Sequence, residues 1–284
     1  MQRRELKITL TLLGTGTSQG VPMVGCGCEV CTSSDVRDRR LRCSAMVEIE
    51  VIEPLDSKEK KTVRVIIDAG PDFRYQMLRE GIKEIDGIIL THSHKDHIGG
   101  IDDVRAFNYW QRKPAEIYCE ERVAEVIRKD FDYAFVDPEK KYAGVPEINL
   151  NIIDPEKADG GIFRIEGVEI TPIRVMHHRL PIVGFKIGGL CYITDANFID
   201  EASMSKIKGC DTLVLNALRH TKHISHFTLT EALEIARLTS PRQTYLTHCS
   251  HQMGLYKTIS KELPHSIHFG YDNLKIISNF VELL

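Results

Sequence analysis

The chain has 284 residues, 42% hydrophobic and 27% charged, enough for one sizeable core and short of two full domains. Lys and Arg number 37 against 40 Asp and Glu, for a net charge of -3, which argues against a generally basic nucleic-acid binder. No stretch reaches the roughly 18–20 apolar residues of a membrane helix, and the run from Ile8 to Leu13 is too short for a signal-peptide core. The expected location is therefore cytoplasmic, with reduced thiols.

In chain order, short runs rich in Ile and Val, each stopped by Gly, Asp or Pro, predict strands at 7–13, 45–52, 63–67, 87–90, 168–175, 183–187, 190–193 and 212–215. A charged hairpin tip is expected at 53–61. Helical patterns fall at 102–111, 120–129, 228–238 and 255–263. Segment 130–147, with aromatics, two prolines and Gly144, reads as a solvated loop, with a substrate lid as the alternative. Strands in two clusters with helices interspersed predict two stacked sheets flanked by helices, forming a single domain over 1–284.

The strongest chemical signal is Thr91-His92-Ser93-His94-Lys95-Asp96-His97-Ile98-Gly99-Gly100. It follows the apolar Ile88-Ile89-Leu90, so it starts at a strand end. Residues two apart in an extended segment point the same way, so His92 and His94 can reach one metal ion. Asp96 and His97 fall in the following turn, and Gly99-Gly100 permits close backbone approach. Further ligand types stand where later apolar strands stop: His177-His178, Asp195 and His248. Sites gather at such strand ends in α/β folds. Alternation alone leaves His177 and His178 both open.

His-x-His-x-Asp-His followed by a later His, Asp and His resembles the metallo-β-lactamase fold hydrolases, over about residues 6–274. That resemblance implies a four-layer αββα sandwich with a dinuclear metal site. One ion would be held by His92, His94 and His178, the other by Asp96, His97 and His248, with Asp195 bridging. Spacing to Gly184-Phe185 against the family pattern favours His178. Two divalent ions, zinc or manganese, could then hold a bridging hydroxide for attack at phosphorus. No Gly-x-Ser-x-Gly elbow, dinucleotide fingerprint or P-loop competes with this reading.

Cys26-Gly27-Cys28-Glu29-Val30-Cys31 packs three thiols into six residues. A closed tetrahedral zinc site needs a fourth ligand. The leading candidate is His251 in Thr247-His248-Cys249-Ser250-His251, with Cys43 and Cys249 as rivals. Together with Leu13-Gly14-Thr15-Gly16-Thr17-Ser18-Gln19-Gly20-Val21-Pro22 and Arg42-Cys43-Ser44, this resembles the PhnP proteins, phosphoribosyl cyclic phosphodiesterases. The resemblance implies one structural zinc on Cys26, Cys28, Cys31 and His251, in a loop at about 25–43. It also suggests a homodimer. The same resemblance makes His226, just before a helix with a Thr228/Glu231 capping box, a phosphate contact and leaving-group acid beside Asp96 and Asp195. His220 and His223 read as surface residues.

The function expected is a metal-dependent phosphodiesterase acting on a cyclic or small phosphodiester, with ribosyl 1,2-cyclic phosphate as the branch substrate. No nucleic-acid or membrane partner is expected. The alternatives are a tRNase Z-type nuclease, which would need a basic arm to grip RNA, and a thioester, lactone or β-lactam hydrolase. A non-catalytic metal-binding or docking protein is the alternative from another class.

Overall fold

The computed structural model describes residues 3–52, 61–137, 139 and 141–283. The alternation in the first strand, β1 (Arg3–Gly14), sets the pattern of the molecule. Leu6, Ile8, Leu10 and Leu12 all point into the space between two sheets, as a period of two demands. Each such side chain contributes about 1.5–3 kcal/mol on full burial.

The first sheet has the remaining strands β2 (Ser44–Ile52), β3 (Lys61–Ile67), β4 (Gly87–Ile89), β5 (Ala115–Cys119), β6 (Ile148–Ile152) and β14 (Lys275–Leu283). Its order is β14-β1-β2-β3-β4-β5-β6. The second holds β7 (Phe163–Ile165), β8 (Val168–His177), β9 (Leu180–Ile187), β10 (Leu190–Ile193), β11 (Thr212–Asn216), β12 (Gln243–Thr247) and β13 (Ile267–Phe269). Its order is β13-β12-β11-β10-β9-β8-β7. Both sheets are mixed. β3 to β6 run parallel in one, and β10 to β13 in the other.

Helices α1 (Phe73–Glu80), α2 (Lys95–Ile98), α3 (Arg105–Gln111) and α4 (Glu121–Asp130) go with the first sheet. Phe73, Met77, Val123 and Ile127 pack there on Ile66, Ile88 and Ile117. Helices α5 (Glu201–Ile207), α6 (Leu229–Thr239) and α7 (Tyr256–Glu262) cover the second, where Ile207, Ala232, Ala236 and Ile259 meet Leu213 and Leu215. The middle core joins Ile8, Val47 and Val65 to Phe185, Tyr192 and Val214. Three apolar cores separate four layers, α, β, β and α, as the resemblance implied.

Every predicted strand lies within, or one residue beyond, an observed one. The sequence reading missed β5, β6, β7, β13 and β14, and helices α1 and α5, and it took the one-turn helix α2 as a turn. β6 and β14 are the edge strands of the first sheet, and β6 alternates apolar with polar residues (Ile148-Asn149-Leu150-Asn151-Ile152). The helix expected at 102–111 begins as a 3-10 turn, Ile101–Val104, before α3. The capping box is present: Thr228 Oγ1 accepts from Glu231 N at 3.2 Å, and Glu231 Oε2 accepts from Thr228 N at 2.9 Å. The proposed hairpin tip lies outside the described residues save Lys61. In segment 130–147, Phe131 and Ala134 are buried against the helical layer, and Asp130 is ion-paired with Lys95 beside the histidine motif. Among the described residues no helix is long and apolar enough to cross a membrane.

Candidate metal centre

The site forms where strands of both sheets stop along one edge. Asp68 follows β3, His92 and His94 follow β4, His177 ends β8, Asp195 follows β10 and His248 follows β12. Three of these turns use left-handed backbone, with φ of 63° at Asp68, 59° at Asp195 and 53° at His248. Such conformations cost of order 1–3 kcal/mol each and cluster at functional sites. Two glycines allow the loops to meet. A Cβ on Gly70 would sit 1.9 Å from the Asp96 carbonyl oxygen, and one on Gly100 would sit 2.1 Å from that of Gly70.

Two ligand sets result. Nitrogens of His92, His94 and His177 lie within 4.8 Å of one another, as do donor atoms of Asp96, His97, Asp195 and His248. Asp195 is also that close to His177 and His226, which puts it between the two sets. His97 Nε2 lies 3.3 Å from Asp96 Oδ2 and 3.2 Å from Asp195 Oδ2, and His248 Nε2 lies 3.0 Å from Asp195 Oδ1.

His178 is not in either set, which corrects the expectation from the family spacing. The buried alternation of Ile173 and Val175 runs on to His177. His177 Nδ1 donates to the carbonyls of Asp195 (2.7 Å) and Ser225 (3.0 Å), leaving Nε2 as the free lone pair. At His178 the chain turns to φ 56° and the side chain is exposed, its backbone N–H donating to Asn197 Oδ1 at 2.7 Å.

Asp68 was missed by the sequence reading. Its carboxylate takes Thr91 N and Thr91 Oγ1, both at 2.8 Å, and sits 2.7 Å from His97 Nδ1. Thr91 Oγ1 in turn is 3.0 Å from His92 Nδ1. One fully buried carboxylate therefore fixes which nitrogens of His97 and His92 face the cavity. Such partners orient metal-ligating imidazoles. The available signal was an apolar strand ending in Asp68-Ala69-Gly70.

The donors fit a pair of divalent ions. His92 Nε2 is buried with no hydrogen-bond partner, His97 Nε2 and His248 Nε2 are buried against carboxylate oxygens, and neutral imidazole with carboxylate suits zinc and its neighbours. The field has the matching sign. Burial opposes a charged ring at His248, but the Asp195 carboxylate outweighs it and raises the group to about 10. Burial likewise opposes ionisation of Asp195, yet His248 and His97 hold its carboxyl well below the usual range.

The thiol cluster assembles as expected. Cys26, Cys28, Cys31 and His251 have donor atoms within 4.8 Å of one another, with His251 Nδ1 at 3.4 Å from Cys26 Sγ and 3.2 Å from Cys28 Sγ. Three sulfurs and one nitrogen match a closed tetrahedral zinc site. The His251 contact lowers the Cys28 thiol to about 6, a thiolate at neutral pH, whereas burial pushes Cys31 up to about 11. The rivals lie elsewhere: Cys43 Sγ contacts Tyr192 and Thr247, and Cys249 is fully buried.

His226 stands at the second ligand set, with Nε2 3.0 Å from Asp195 Oδ1 and its ring 4.9 Å from that of His248. Its Nδ1 faces Ser225 Oγ and His223 Nδ1, both at 3.0 Å. His223 is therefore packed on the site, not a detached surface residue. His220 instead bonds the Met253 carbonyl at 2.8 Å.

Residues 63–249 match the model of the β-lactamase superfamily domain. A crystal structure of a new diphosphatase from the PhnP family superposes with a TM-score of 0.84 and 37% identity, covering 97% of this chain and 99% of that one. The chain belongs to the PhnP family of the β-lactamase superfamily. Among curated proteins, this PhnP-family chain is 38% identical over 268 residues to an octanoyltransferase of Porphyromonas gingivalis, covering 94% of the chain and 51% of that protein. The chain spans about half the length of the curated relatives it matches. Zinc-bound PqqB from Methylobacterium extorquens shares the fold, with a TM-score of 0.69 and 19% identity over 94% of this chain and 99% of that one. Membership places the chain among β-lactamase superfamily hydrolases.

Proposed function

We propose that the chain is a two-metal phosphodiesterase for a small phosphodiester or diphosphate, with ribosyl 1,2-cyclic phosphate as one such substrate. The carrying observation is the pair of adjoining ligand sets, with Asp195 a member of one and close to His177 of the other, and with His226 beside them. Support comes from the diphosphatase of the same family, alike over nearly its whole length.

In this reading His92, His94 and His177 hold one ion, Asp96, His97 and His248 the other, and Asp195 serves both. Bound there, two divalent ions would supply Lewis acidity that activates water and neutralises phosphoryl oxygens. The chain's own residues do the rest. Asp68 and the Asp195 carbonyl orient the imidazoles. Burial lowers His226 to about 4, so the ring carries one proton at neutral pH. A proton on Nε2, with Nδ1 accepting from Ser225 Oγ, makes His226 a hydrogen-bond donor to a phosphoryl or leaving-group oxygen. In net terms one P–O ester bond breaks, the water oxygen joins phosphorus, and the departing oxygen gains a proton. The Cys26/Cys28/Cys31/His251 zinc would brace His248 through the three-residue link to His251.

A second reading has an observation of its own. The octanoyltransferase likeness favours an acyl ester or thioester substrate. One panel separates the two: metal-loaded protein with ribosyl 1,2-cyclic phosphate, ADP-ribose, bis(p-nitrophenyl) phosphate, precursor tRNA and an octanoyl thioester. Turnover of the phosphate esters at least a hundredfold above the thioester supports the proposal. The reverse order overturns it.

A further inference from the structure

The Arg42-Cys43-Ser44 triplet belongs to neither ligand set, yet its backbone is pinned from α1. Arg42 N donates to Asp72 Oδ2 at 2.8 Å, and the Arg42 carbonyl accepts from Nε2 of the buried Gln76 at 3.0 Å. The two side chains that follow reach beneath the metal centre. Ser44 Oγ donates to the Asp68 carbonyl at 2.8 Å, at the left-handed residue whose carboxylate orients His97 and His92. Cys43 is buried in the middle core between the sheets.

There Cys43 Sγ meets three buried hydroxyls of the second sheet: Tyr192 Oη at 3.2 Å, Thr247 Oγ1 at 3.3 Å and Thr194 Oγ1 at 3.5 Å. Two of the three stand immediately before ligands, Thr194 before Asp195 and Thr247 before His248. Thr194 Oγ1 also donates to Asp195 Oδ2 at 2.7 Å. A hydroxyl has one proton, and the carboxylate is the stronger acceptor. The sulfur contact therefore holds in place a hydroxyl whose proton is spent on Asp195. The same Oδ2 lies 3.2 Å from His97 Nε2. Among the described residues, Tyr192 Oη and Thr247 Oγ1 have no hydrogen-bond partner other than this sulfur. Cys43 thus ties the ends of β10 and β12, which deliver Asp195 and His248, to the start of β2 on the facing sheet.

We propose that Cys43 is a positioning residue for the metal centre: through Thr194 and Thr247 it sets the separation of Asp195 and His248, and so the fit of the second ligand set to its ion. The inference rests on the two-metal reading. Removing the thiol frees both strand ends and leaves two buried hydroxyls unpaired, whereas the ligands themselves are untouched.

The test compares full-length Cys43→Ala, Thr194→Val, their double variant and Cys191→Ala with the wild type. Cys191 is an equally buried thiol on the outer face of the second sheet. Chelator competition should show the active-site ion bound about 10–100-fold more weakly in Cys43→Ala, the loss expected when a partner that orients a ligand is removed. The zinc on Cys26, Cys28, Cys31 and His251 should be unaffected. The double variant should lose no more than about threefold beyond the weaker single, because both changes act along one path. Cobalt(II) is then titrated into protein whose thiol site already holds zinc. Its visible absorption should shift in Cys43→Ala and Thr194→Val, and return toward the wild type in Cys43→Ser, which keeps a hydrogen-bonding group. Cys191→Ala should lower the melting temperature and leave affinity and spectrum alone. Unchanged affinity and spectrum in Cys43→Ala, an equal loss of affinity in Cys191→Ala, or losses that multiply in the double variant would overturn the proposal. If Cys43→Ala does not fold, Cys43→Val fills the space without a polar hydrogen and takes its place in the same comparison. Fewer than two active-site ions in the wild type would sink the two-metal reading. The affinity and spectrum of the ion that remains would still decide the role of Cys43.

Discussion

Replacing His177 by Ala removes one of three donors from the first ligand set. Changing a partner that merely orients a ligand costs about 10–100-fold in metal affinity, so losing the ligand itself should exceed about 100-fold, or more than about 2.7 kcal/mol. The fold should pay less. The carbonyls of Asp195 and Ser225 lose a donor 2.7 and 3.0 Å away, worth about 1–3 kcal/mol. The matched control is His178→Asn, because Asn tolerates the left-handed backbone at φ 56°. Metal content after desalting, measured by plasma mass spectrometry, should fall by one ion in His177→Ala and stay unchanged in His178→Asn. Thermal denaturation checks that both fold. An ion lost from His178→Asn and retained in His177→Ala would refute the assignment.

Cys28→Ser should lose one zinc while the active-site pair is retained, and metal analysis should show the third ion absent. Asp68→Ala should weaken metal binding and turnover by about 10–100-fold without contacting either ion, read from activity against free metal concentration. His226→Ala should lower kcat for bis(p-nitrophenyl) phosphate by about 100-fold or more with metal content unchanged; full turnover would exclude it from the chemistry. Asp272 gives a pH effect. Burial raises its carboxyl to about 6 from an ordinary 3.8, against the hydrogen bonds from Leu41 N and Thr15. The folded state therefore binds the proton more tightly. Its contribution to stability is fully present below about pH 4 and is lost as pH rises through about 6, a change of about 3 kcal/mol. Urea denaturation should show this decline reduced in Asp272→Asn.

The candidate site was legible where chemistry is written in consecutive residues. His92, His94, Asp96 and His97 stand together in the sequence, and so do Cys26, Cys28 and Cys31, so their spacing alone announced them. Asp195, His248 and His251 could be found because each ends an apolar strand or closes a short loop. Asp68 could not, since one aspartate after a strand is common and its partner Thr91 is distant in sequence. The choice between His177 and His178 depended on where β8 ends. The side chain two places after Val175 remains in the strand and buried, and the next residue has already turned out. His223 was read as exposed because nothing local shows that the loop before α6 folds it onto His226. In the fold, the buried strands were plain from their Ile and Val runs. The edge strands β6 and β14 were missed because half of each faces solvent.

The central claim is that two ions share Asp195 between ligand sets that include His177. Anomalous diffraction at the zinc absorption edge, from crystals of zinc-loaded protein, tests it most directly. The account predicts three peaks per chain: one among His92, His94 and His177, one among Asp96, His97 and His248, and one among Cys26, Cys28, Cys31 and His251, with Asp195 between the first two. A single ion in the active site, or a peak bound by His178 in place of His177, would contradict it.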